Sequence, residues 1–88
     1  MILKVFTQPN CPKCPSAKEL CANLKSQNSN LKIEYYDVSE ANGLAEASFY
    51  SLMATPSFVL LDDFGKEIQT WRGETPTLKE LTTLLRLV

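Results

Sequence analysis

Two prolines set around a pair of cysteines constrain this chain more than any other feature. In Cys11-Pro12-Lys13-Cys14-Pro15, neither proline has an N–H, and inside a helix each ring would collide with the carbonyl four residues back. For Pro15 that carbonyl belongs to Cys11. The segment therefore fits only where a helix begins, with Cys11 expected at its N-terminal edge and Cys14 in the first turn. Upstream, Ile2 to Thr7 is apolar and partly β-branched with Lys4 as the one interruption, the pattern of a buried strand. Gln8-Pro9-Asn10 is the intervening loop. Downstream, Ala17, Leu20, Cys21 and Leu24 fall at i, i+3, i+4 and i+7, one helical stripe reaching about Gln27. The cluster Gln27-Asn28-Ser29-Asn30 then turns the chain.

The remaining segments follow the same periodicities. Leu31, Ile33 and Tyr35 alternate with Lys32 and Glu34, so residues 31–38 read as a second strand, with Tyr35 and Tyr36 on opposite faces. Ser39 to about Met53 carries Leu44, Ala45, Ser48, Phe49 and Leu52 at helical spacing. Ser57 to Leu61 is a short apolar strand, and Asp62-Asp63-Phe64-Gly65-Lys66 is a turn. Glu67 to Trp71 is a strand that pairs antiparallel with it. The last helix starts either with Thr75 as cap and Pro76 at the first position, or with the capping box Thr77-Leu78-Lys79-Glu80. Its apolar face is Leu78, Leu81, Leu84, Leu85 and Val88, and Trp71 is expected to pack on it. The order β-α-β-α-β-β-α predicts an α/β fold. Its right-handed βαβ unit and hairpin make a four-stranded mixed sheet with helices on both faces. At 88 residues the chain is expected to be a single domain, 1–88.

Composition narrows the chemistry. Nine Lys+Arg against ten Asp+Glu leave no basic excess for nucleic acid or an anionic membrane. Without histidine there is no Cys–His or Ser–His pair and no His-containing zinc site. No apolar run reaches the roughly 18 residues of a membrane span. Ile2-Leu3-Lys4-Val5-Phe6 lacks the basic start and cleavage site of a secretory signal, so a cytoplasmic location is expected.

The cysteine pair then carries the function. Unpaired N–H groups and the positive end of the helix dipole favour an anion. The Cys11 thiolate is such an anion, and its pKa is expected to fall from about 8.5 to about 7 or lower, with Lys13 adding positive charge. Cys11 is expected to be the exposed nucleophile that attacks a target disulfide, and Cys14, within disulfide reach, the resolving thiol. Cys21 lies about 10.5 Å further along the helix axis at 1.5 Å per residue, too far to bridge, and reads as a core cysteine. Two cysteines per chain would also serve an iron–sulfur cluster shared between two chains. A C-x-x-C between a strand and a helix is the sequence signature of a redox motif.

With the strand, Cys-Pro-Lys-Cys, the helix and a later Thr55-Pro56 before a strand, the sequence resembles the thioredoxin/glutaredoxin superfamily. It looks most like the minimal, glutaredoxin-sized dithiol members, the glutaredoxin-like thioredoxins. The resemblance implies a thioredoxin-like fold, a cis Pro56 beside the cysteines, and a Thr55 main chain that pairs with the substrate. Pro12 and Lys13 are candidate substrate contacts, and Pro9, Pro12, Met53, Ala54 and Pro56 a candidate apolar collar around Cys11. The implied activity is reduction of protein disulfides by a monomer that needs no organic cofactor or metal and is recycled by an upstream reductase. Glutaredoxins hold glutathione with a lysine three residues before the first cysteine and a Gly-Gly with an acidic segment after the last strand. Here those places read Gln8 and Arg72-Gly73-Glu74, which favours a thioredoxin-reductase type of donor over glutathione. Longer thioredoxins place a tryptophan just before the first cysteine and a buried aspartate six residues before it. Here Asn10 and Val5 stand there. A glutathione-dependent glutaredoxin and a non-enzymatic cluster carrier or adaptor are the alternatives.

Overall fold

The computed structural model describes residues 1–28 and 30–87. Ser29, in the turn expected after the first helix, and Val88, on the expected face of the last, lie outside the described residues. The elements run β1 (Ile2–Thr7), α1 (Cys14–Gln27), β2 (Lys32–Asp37), α2 (Ala41–Phe49), β3 (Ser57–Leu61), β4 (Glu67–Trp71) and α3 (Leu78–Leu87). The four strands lie in the order β2-β1-β3-β4. β1 pairs parallel with β2, from Ile2 opposite Lys32 to Thr7 opposite Asp37. It pairs antiparallel with β3, where Phe6 faces Ser57, and β3 pairs antiparallel with β4. The mixed sheet and the element order are those expected from the periodicities.

Side-chain alternation along the central strands feeds two layers. Leu3 and Val5 of β1 join Ala17, Cys21 and Leu24 of α1, Phe58 and Leu60 of β3, Trp71 and Leu81 in one buried cluster. Phe6, Ala47, Val59 and Leu61 form the second, on the face that α2 covers. Each fully buried Leu, Phe or Val in these layers stabilises the fold by about 1.5–3 kcal/mol relative to exposure. No helix among the described residues is long and apolar enough to cross a membrane.

Two local expectations change on contact with the structure, and two others are resolved by it. The first helix starts at Cys14, not at Cys11, because Asn10 takes a left-handed φ of 63° and the chain turns once more before the helix. The second helix spans only Ala41–Phe49, and its buried residues are Gly43 and Ala47, whereas Leu44 and Phe49 are exposed. The reason is proximity: a methyl group on Gly43 would overlap the Asp37 carbonyl, so α2 sits on the end of β2 through its small residues. The tyrosines are one in and one out, as the strand alternation implies. Tyr36 stacks on Phe6 with ring centroids 5.1 Å apart, while Tyr35 remains 55% exposed on the other face of the same edge strand. Finally, α3 uses the capping box: Glu80 N–H donates to Thr77 Oγ1 at 3.0 Å and Thr77 N–H to Glu80 Oε1 at 3.4 Å. Trp71 is buried against this helix, donating from Nε1 to Glu80 Oε2 at 3.3 Å.

Candidate active site

The loop that leaves β1 delivers the cysteine pair to the start of α1. Asn10 can hold its left-handed conformation because its short polar side chain tolerates that region better than most. Cys11, Pro12, Lys13 and Cys14 then form a turn in which the Cys14 N–H donates to the Cys11 carbonyl at 3.3 Å. Lys13 occupies the N-cap position without a side-chain hydrogen bond, Pro15 sits in the first turn, and the first turn holds no acidic residue. The positive end of the helix thus faces the pair with nothing on its own side chains to neutralise it. Cys11 and Cys14 are joined as a disulfide across a Cα–Cα separation of 5.4 Å, within the usual span for such a bond.

Exposure departs from expectation. Cys11 retains 8% of its surface and Cys14 4%, so the anticipated exposed nucleophile is a nearly buried residue with the larger remaining opening of the two. The disulfide accounts for part of this, because each sulfur covers the other. Pro12 and Lys13, between them, are exposed.

Cys21 is fully buried and unpaired, as the helical stripe implies. Burial pushes its thiol up to about 11, partly offset by a hydrogen bond with the Tyr35 hydroxyl. It stays protonated at neutral pH and takes no part in the chemistry of the pair.

The sheet brings the second candidate segment alongside. The β1–β3 ladder ends with Phe6 opposite Ser57, so Pro56 directly precedes the strand paired with β1, and β1 itself ends at Thr7, four residues ahead of Cys11 in the chain. The Thr55-Pro56 bond is cis. Pro56 is fully buried, so it cannot offer the collar surface expected of it. Thr55 is half-buried, and Pro9, Met53 and Ala54 are exposed. Among the described residues, the Thr55 main chain takes part neither in the sheet ladder nor in a turn hydrogen bond. A groove of about 360 Å³ lies between α2 and this loop, bounded by Gln8, Val38, Leu44 and Thr55. Val5, at the position of the family's buried aspartate, is fully buried.

One residue escaped sequence reasoning. Ser57 is a fully buried serine whose hydroxyl donates to the Ala54 carbonyl at 2.6 Å and accepts the Gly73 N–H at 3.1 Å. The available signal was a polar residue opening a strand that is otherwise all apolar, since a buried hydroxyl must find partners.

A strand, a proline-bounded cysteine pair able to form a disulfide at a helix start, and a cis-proline loop on the neighbouring strand together define a dithiol oxidoreductase. A family model described as a thioredoxin domain matches residues 1–86, and the chain belongs to that family, within the thioredoxin/glutaredoxin superfamily. It is 30% identical over 64 residues to a probable thioredoxin of Archaeoglobus fulgidus, covering 73% of this chain and 69% of that one. It is 32% identical over 62 residues to a thioredoxin of Methanocaldococcus jannaschii, covering 69% and 71%. The fold superposes on thioredoxin 1 from Thermosipho africanus with a TM-score of 0.79 at 20% identity, over 99% of this chain and 93% of that one. Fasciola hepatica thioredoxin gives 0.78 at 23% identity, over 98% and 78%.

Proposed function

We propose that this thioredoxin-family oxidoreductase is a single-domain, monomeric electron donor of the cytoplasm that reduces disulfides of other proteins. The observation that carries the reading is the Cys11–Cys14 pair joined across the start of α1. In the reduced protein the Cys11 thiolate, stabilised by the helix end, attacks one sulfur of a target disulfide. A mixed disulfide forms and the target's other sulfur leaves as a thiolate. The Cys14 thiolate then attacks Cys11, releasing the second target thiolate and leaving the Cys11–Cys14 disulfide. Two electrons and two protons have passed to the target, and an upstream reductase returns them. Thr55 docks the target chain, Pro56 holds Thr55 from behind, and Pro12 and Lys13 form the exposed rim. No organic cofactor is needed, because the sulfur pair carries both electrons.

Replacing Cys14 with serine removes the resolving thiol. With Cys14→Ser, incubation with a disulfide-bearing protein should leave a covalent adduct on non-reducing electrophoresis that dithiothreitol dissolves, and Cys11→Ser should form none. Absence of an adduct with Cys14→Ser overturns the assigned roles. For the donor, Gln8 and Glu74 are both exposed and supply no cation for a glutathione carboxylate, which supports a thioredoxin-reductase type. The oxidised protein offered glutathione with its reductase, and separately a thioredoxin reductase, should be recycled by the second. Recycling by glutathione alone reverses that preference. A coloured dimer after anaerobic purification would favour a cluster carrier instead.

A further inference from the structure

The end of β4 grips the loop that carries Thr55. Gly73 donates its N–H to the Ser57 hydroxyl at 3.1 Å, and that hydroxyl donates in turn to the Ala54 carbonyl at 2.6 Å. Gly73 has a φ of 71°, and a Cβ built there would stand 3.1 Å from the Ala54 Cβ, so the two backbones approach closely. The preceding residue, Arg72, donates from Nη2 to the Tyr50 carbonyl at 3.2 Å. Every one of these contacts lands on residues 50–57, and two of them flank Thr55.

Satisfying buried polar groups does not by itself explain the serine. Ala54 is exposed and Gly73 half-buried, so neither residue needs a buried serine to be accommodated, and alanine would suit the otherwise apolar β3. What the hydroxyl adds is a fixed link between two chain segments that are not paired as strands. Its oxygen both donates and accepts, so it locks the Ala54 carbonyl in one direction and, through the next peptide, the direction in which Thr55 presents its main chain. Main-chain pairing with an extended partner is sensitive to that direction. A small disulfide with no chain to pair is indifferent to it.

We propose that Ser57, held between Gly73 and Ala54, is a positioning residue that aims the Thr55 main chain at an extended polypeptide, and so selects polypeptide disulfides over small ones. This rests on the function proposed above and goes further in naming the substrate geometry. The test compares steady-state reduction of insulin with that of 5,5′-dithiobis(2-nitrobenzoate). In Ser57→Ala the KM for insulin should rise about fivefold, the ratio expected for one lost hydrogen bond. Its kcat, and the rate with the small disulfide, should stay within about twofold, and Ser57→Thr should restore the KM. An unchanged KM, or an equal loss on both substrates in a folded variant, overturns the proposal. If Ser57→Ala does not fold, Ser57→Cys, whose thiol is a weaker hydrogen-bonding group at the same place, should show the same split, and an unchanged KM there overturns it equally. Wild-type protein active on the small disulfide but inert toward insulin would overturn the functional reading itself. An active wild type with an indifferent serine would overturn only this inference.

Discussion

The face of the sheet under α1 and α3 is built from Leu3, Val5, Leu24, Phe58, Leu60 and Leu81, all essentially without exposed surface. The face under α2 buries Phe6, Ala47, Val59 and Leu61 and also carries a charge. Lys4 Nζ donates to Glu46 Oε2 at 2.8 Å and lies 5.6 Å and 5.2 Å from the ring centroids of Tyr36 and Tyr50. Desolvation alone would lower the pKa of this ammonium, but its hydrogen bonds to Glu46 and Tyr50 outweigh that and hold it above the ordinary lysine range. The first layer is stabilised by area removed from water. The second depends on close backbone approach at Gly43 and on polar groups meeting their partners, so the two should answer mutation differently.

The largest effect should come from the apolar layer. Leu24→Ala leaves a cavity among α1, α3 and the sheet and should cost about 3 kcal/mol, a fall in Tm of about 12–24 °C for a domain of this size. A loss below about 1 kcal/mol by calorimetry or urea titration would show that this layer collapses onto vacancies, and the contrast would weaken.

Gly43→Ala adds one methyl group to the other layer. Helix propensity favours the change by about 0.5–1 kcal/mol, but the Asp37 carbonyl occupies the space. The net result should be a destabilisation of about 1–2 kcal/mol. A more stable Gly43→Ala protein would mean that α2 can lift off β2 freely.

Lys4→Met should be the mildest of the three, within about 1 kcal/mol of wild type at neutral pH, because an apolar chain of similar length replaces a partly desolvated ion pair. The pH dependence is sharper. A lysine whose folded-state pKa is raised contributes its stabilisation fully below the unfolded value of about 10.4 and loses it as pH rises through the folded value. Denaturant midpoints of wild type should therefore fall with rising pH in the alkaline range relative to Lys4→Met. Parallel curves for the two proteins would remove Lys4 from the account.

The same contrast separates what could be read in advance from what could not. The apolar layer was legible because Ala17, Cys21 and Leu24 repeat at helical spacing and β3 is a continuous apolar run. The α2 layer was misread because Leu44 and Phe49 carry the hydrophobicity, while Gly43 and Ala47 make the contact. Periodicity weighs side chains by their apolar surface and is blind to a helix that docks by having almost none. Lys4 appeared only as an interruption in a strand, since its partners Glu46 and Tyr50 lie far along the chain.

The local chemistry of the cysteines belonged to the sequence alone. Proline sterics act over four residues, so Pro15 was enough to put the pair at a helix start with Cys14 in the first turn, though the first helical residue itself came only from the fold. Tertiary structure decided the rest of the site: how little of Cys11 remains open, that Thr55 and Pro56 lie beside the strand leading to it, and that Ser57 and Gly73 clasp that loop. Those relations depend on strand order and register, where residues some fifty positions apart meet through hydrogen bonds that no short-range rule encodes.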